Sequence, residues 1–149
     1  MDDYLLVEDA LIKRLSDEMP ELKAVLSATD LSVIQSARKT EPAAYVVYLG
    51  DQVSEGNAGQ GGNGGVQITA QVWMVVLVVK FAAGIASGKG VREKAGPLIA
   101  KLLSVVSGWT PDKLMTPLKR TQAPSVGYDD GYGFYPFAFK TSHAILGRK

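Results

Sequence analysis

Apolar positions recur along the chain in two rhythms, and these rhythms divide it into elements. Residues 2–19 follow the first rhythm. Tyr4, Val7, Leu11 and Leu15 return every three or four positions, with Leu5 and Ile12 beside them, while Asp9, Lys13, Ser16 and Asp17 take the opposite side. That spacing predicts an amphipathic helix. Asp2 and Asp3 suit its cap and the positive end of its dipole, and Pro20 stops it near Met19. A second helix is predicted over 89–107. Val91, Ala95, Leu98, Leu102 and Val106 give it a wide apolar face. Pro97 predicts a kink or restart inside it, and Gly108 a cap at its end.

The second rhythm has a period of two. Residues 43–50, rich in Tyr and Val after Pro42, predict a strand. Over 66–72, Val66, Ile68, Ala70 and Val72 alternate with Gln67, Thr69 and Gln71, which predicts one wet face. Residues 72–79 are apolar on both sides, the mark of a strand buried on both faces. At about 3.3 Å per residue, the strand 66–80 reaches roughly 50 Å. The intervening stretch, 51–65, holds six glycines and two asparagines and cannot anchor itself in a core. It predicts the flexible tip of a long projecting β-hairpin. A short edge strand is expected over 22–28 and one or two helical turns over 29–35, capped by Thr29 or Asp30. Residues 81–88 read as a small-residue loop. The last two strands are expected over 113–121 and 134–146, with the turn-rich segment 122–133 between them.

This order gives one α+β domain over 1–149: a mainly antiparallel four-stranded sheet with two helices on one face and a projecting hairpin. Two helices cover only one face of the sheet. The other face of 72–79 is therefore expected to meet a neighbouring subunit.

Composition narrows the classes. The chain has 149 residues, 46% of them hydrophobic and 21% charged, which excludes wholesale disorder. A net charge of +1 leaves no broad electrostatic footprint for nucleic acid or anionic membrane. There is no cysteine, so disulfides, thiolate metal sites and a cysteine nucleophile are excluded. The acidic start lacks the pattern of a signal peptide, and no apolar run is long enough for a membrane-crossing helix.

Candidate chemistry is sparse. The glycine stretch lacks a following Lys-Ser/Thr pair, and a strand rather than a helix comes after it, so it does not fit a phosphate loop. His143 is the sole histidine, expected to be held in a strand by Thr141 and Ser142. Asp129-Asp130-Gly131 lacks the remaining ligands of a calcium loop and predicts a tight turn. Neither Asp17–Glu18 nor Glu41–Asp51 forms a recognisable acid–base pair. Tyr128, Tyr132, Phe134 and Tyr135 form an aromatic cluster suited to sugar contact or base stacking, or to packing at a sheet edge or subunit contact. Trp73 and Trp109 read as packing residues. No catalytic, cofactor-binding or metal-ligating set emerges, and no cofactor is expected. The candidate contact residues are Asp51, Gln52, Val53, Asn57, Gln60 and Asn63 at the hairpin tip, Gln67, Thr69 and Gln71 on the wet face, and Tyr128 and Tyr132.

Taken in order, these features resemble the tail terminator family of long-tailed phages, and in particular the tail terminator-like proteins of Mu-like and related temperate phages. The resemblance spans nearly the whole chain. It is carried by Leu15-Ser16-Asp17-Glu18-Met19-Pro20 at the end of the first helix, by Pro42-Ala43-Ala44-Tyr45-Val46-Val47, and by Trp73-Met74-Val75-Val76-Leu77-Val78-Val79. Gly108-Trp109-Thr110-Pro111 and the aromatic strand Tyr135-Pro136-Phe137-Ala138-Phe139 complete it. The resemblance implies a structural protein of the virion without catalytic residues. It implies a homohexameric ring that caps the finished tail tube, stops polymerisation and offers a surface to the head–tail connector. Its implied partners are other copies of itself, the tail tube protein and neck proteins, met in the host cytoplasm during assembly. The rival readings are another neck protein, such as a head-completion or head–tail joining subunit, a small binding module built on the aromatic cluster, and an enzyme.

Overall fold

The strand that alternates and then turns wholly apolar becomes the centre of the sheet. The computed structural model describes residues 2–37, 40–53, 64–80 and 89–148. Its elements run α1 (Val7–Glu18), β1 (Ala24–Ser27), α2 (Leu31–Ala37), β2 (Ala43–Val53), β3 (Val66–Lys80), α3 (Lys89–Val106), β4 (Lys119–Thr121), β5 (Gly127–Asp129) and β6 (Tyr132–Leu146). β3 lies between β2 and β6, antiparallel to both. The order is β1-β2-β3-β6-β4, with β5 also paired to β6.

The α+β class is as expected, but among the described residues the sheet is six-stranded and mixed rather than four-stranded. β1 runs parallel to β2 because α2 carries the chain back to the same end before β2 begins. The strand expected over 113–121 shrinks to β4. Asp112 Oδ2 accepts the Leu114 N–H at 2.9 Å and so builds a turn, and Pro117 has no N–H for a ladder. β5 is cut from the turn-rich segment, and Asp130 (φ 51°) and Gly131 (φ 82°) turn it back into β6. Two consecutive left-handed residues match the twist of a tight hairpin.

Among the described residues three helices, not two, pack on the sheet. On one face α1 and α3 bury Leu11, Leu15, Leu102 and Val106 against Trp73, Val75, Leu77, Phe137 and Phe139. On the other, α2 sets Ile34 against Tyr45, Val47, Met74, Val76, Val78 and Phe134. Asp30 starts α2, its Oδ1 accepting the Val33 N–H at 2.9 Å. The expectation that the second face of 72–79 requires a neighbouring subunit is therefore corrected. Val72, at 8%, is the most exposed residue of that run within the single chain.

Helix ends also shift. Asp3 accepts the Leu5 N–H at 2.9 Å, which makes a turn, and α1 starts only at Val7. α3 runs as one helix through Pro97, which rules out the restart, one of the two outcomes expected there.

The β2–β3 pairing ends at Val53↔Thr69, after a bulge that leaves Leu49 unpaired and Gly50 at φ 99°. Beyond it, Val66, Gln67 and Ile68 pair with Leu146, Ile145 and Ala144. The described part of the projecting ribbon is thus made by β3 and β6. The expected tip residues Asn57, Gln60 and Asn63, and the loop 81–88, lie outside the described residues.

Candidate interaction surface

The end of the ribbon reverses the burial that alternation predicts. Gln71 is fully buried and Thr69 nearly so, while Val66 is exposed. The N-terminal segment explains this. Gln71 Nε2 donates to the Tyr4 carbonyl at 2.6 Å, and Gln71 Oε1 accepts the Trp73 indole N–H at 2.9 Å. The Tyr4 hydroxyl donates to Asp51 Oδ2 at 2.6 Å. These bonds lay the segment before α1 over the polar side of β3. The apolar side, with Val66, Ile68 and Ala70, faces the other way, at the end of the sheet beyond the α2 cluster. Burial, followed by the hydrogen bond to the Asp51 carboxylate, pushes the Tyr4 phenol up to about 12.

His143 lies beside this network. Tyr4 meets its ring edge-on at 5.3 Å. Both ring nitrogens are buried without a hydrogen-bond partner. The expected support from Thr141 and Ser142 is directed elsewhere. The Thr141 hydroxyl donates to the Thr116 carbonyl at 2.6 Å, and the Ser142 N–H donates to Thr116 Oγ1 at 2.9 Å. Burial holds the imidazole below its ordinary value, with the Asp51 carboxylate pulling weakly the other way.

A groove of about 530 Å³ opens here, with His143 in its wall and Tyr4, Leu114, Ala144, Ile145 and Leu146 around it. Leu146 is 71% exposed and Leu114 57%, and Val53, at 63%, stands near the same end. Isolated exposed leucines are ordinary, but several gathered at one end of a sheet make that end the candidate contact surface. The periodicity of β6 pointed Ile145 and Leu146 out only if the end of the sheet was known, so sequence reasoning passed over them, as it did Leu114.

The described candidate residues separate into three groups. Asp51, Gln52, Val53 and Gln67 are exposed at the ribbon end, whereas Thr69 and Gln71 are withdrawn into the fold. Tyr128 and Tyr132 sit at the opposite end of β6, about 35 Å away at about 3.3 Å per residue. Strand alternation also divides the aromatic cluster. Phe134 packs in the α2 cluster and Tyr135 in the α1–α3 cluster, where its hydroxyl donates to Tyr128 at 3.2 Å. The four rings therefore do not share one face, as stacking on a sugar or base requires.

Among the described residues no group of three or more His, Asp or Glu side chains is placed to hold a metal ion. None of their helices is long and apolar enough to cross a membrane.

A family model described as phage tail terminator protein matches residues 1–148. The chain belongs to the phage tail terminator family. No curated protein matches it. As a tail terminator it is a structural protein of the phage tail and a component of the virion.

Proposed function

We propose that this tail terminator forms a cyclic homohexamer that caps the tail tube, ends its polymerisation and gives the head–tail connector its docking surface. The chain acts as one domain over 1–149, assembling in the host cytoplasm. The match to the family across residues 1–148 carries this reading. The gathering of Val53, Leu114, Ile145 and Leu146 at one end of the sheet supports it, since a subunit that works by contact needs such a patch.

The test is native mass measurement of the purified protein, joined to imaging of tails that carry it. A six-fold ring at one end of the tube is the expected result, with tubes of uncontrolled length when the protein is left out. A single copy at the tube end, or tubes of normal length without it, overturns the reading.

A further inference from the structure

The backbone at the ribbon end is open along one side. The Gly147 N–H donates to the Gly65 carbonyl at 2.8 Å, so the odd-numbered residues of this part of β6 turn their backbone groups toward β3. Even-numbered residues turn theirs away. Ser142 does so onto Thr116, whose N–H donates to its carbonyl at 2.9 Å. Ala144 and Leu146 come next on that side, and no described residue pairs with their backbone. The side chains along this stretch, Ala144, Ile145 and Leu146, carry no charge.

The sheet has a second uncharged edge. β1 closes its opposite side with Ala24, Val25, Leu26 and Ser27, and Leu26 is exposed. The remaining edge strands are protected in the usual way. β4 carries Lys119 and Arg120, and β5 carries Asp129. Natural sheets place charge on edges to prevent pairing between molecules, so an uncharged edge is one left free to pair.

Resting on the ring reading above, we propose that the Ala144–Leu146 edge of one subunit hydrogen-bonds to the β1 edge of a second copy of this chain. A closed head-to-tail ring requires two different, complementary patches on each subunit. The two uncharged edges meet that need. They lie on opposite sides of one sheet and at opposite ends of its strands. They are of similar length, four residues against three, and both carry exposed apolar side chains: Leu26 on one, Leu146 with Leu114 beside it on the other. Pairing adds backbone hydrogen bonds and lets an apolar side chain of the incoming strand enter the groove beside His143.

Two variants separate the edges. Ala144→Pro removes an outward N–H and leaves the β3–β6 ladder intact, as edge positions tolerate. Leu26→Lys charges the other edge. Leu146→Lys stands in for Ala144→Pro should proline disturb folding. Each is measured by native mass, free or on isolated tail tubes, in whichever setting the wild type closes. Each variant alone should lose the ring and remain a single subunit. Mixed in equal amounts, Ala144→Pro and Leu26→Lys retain one intact edge each and should form dimers that do not extend. Rings from the single variants overturn this pairing while the ring itself stands, as does a mixture that yields no dimers. A wild type that never closes, free or on tubes, overturns the ring reading and this pairing with it.

Discussion

His143 has a buried imidazole whose two nitrogens meet no partner, and burial favours its neutral form. The groups facing it are the Tyr4 ring, the Asp51 carboxylate and Asp2 at the groove. Its folded pKa lies below the ordinary 6.5, so the unfolded chain binds the proton more readily. Stability is fully present above about pH 6.5 and lost as pH falls below it. A urea midpoint that is flat from pH 8 to 6.5 and declines toward pH 5 is expected. Glu21, Asp30 and Glu41, whose pKa values are lowered, add to the loss only further into acid. His143→Phe should abolish the decline between pH 6.5 and 5 and be no less stable than wild type at pH 7, because it removes two unsatisfied atoms and keeps the ring. A decline unchanged in that variant assigns the proton elsewhere. Gln71 behaves oppositely. Gln71→Leu strands the Trp73 indole N–H and the Tyr4 carbonyl, and should destabilise by about 2 kcal/mol in the same urea experiment. Neither role was legible in the sequence. Alternation says that Gln67, Thr69 and Gln71 share a side of β3. It does not say that Tyr4, 67 positions away from Gln71, will cover that side.

Elements with strong periodicity were legible in extent, and the short strand over 22–28, the helical turns over 29–35 and the tight turn at Asp129–Gly131 were legible in kind, but the layer and direction of the short elements were not. The stripe of Leu11 and Leu15 and the apolar run of β3 determine their elements locally, whereas α2 depends on one cap at Asp30 and a single deep contact at Ile34. The parallel direction of β1 follows from that helix, so no pattern within residues 24–27 reveals it. β4 shows the same limit. Its three residues are defined by pairing, and Lys119 lies directly opposite Lys140. Like charges opposite one another destabilise a ladder. Lys119→Glu should raise stability by ~0.2–1 kcal/mol, an effect seen as a higher melting temperature at low salt that fades at high salt. A gain that persists at high salt has another origin.

At the scale of the whole molecule, the expectation of a subunit that needs its neighbours gives way to one closed on both faces. Sequence periodicity placed two helices on one face and assigned the helical turns over 29–35 to neither, so the apolar run Val72–Val79 lacked cover on the other. α2 contributes Ile34 to the cluster on that side, and the run is buried in a single chain. This separates folding from assembly. If the ring is made through strand edges, a subunit unable to close it should still hold its native core. Leu146→Lys tests this, since the Leu146 side chain is largely exposed and its loss opens no cavity. The variant is expected to unfold in one cooperative step, with a urea midpoint unchanged over a hundredfold dilution, because no subunit contact contributes to its stability. Its near-ultraviolet circular dichroism, arising from Trp73 packed against Tyr48 at 4.7 Å, should match that of the wild type. A midpoint that falls on dilution, or a broad transition with that signal lost, would mean that the apolar run depends on a second subunit after all.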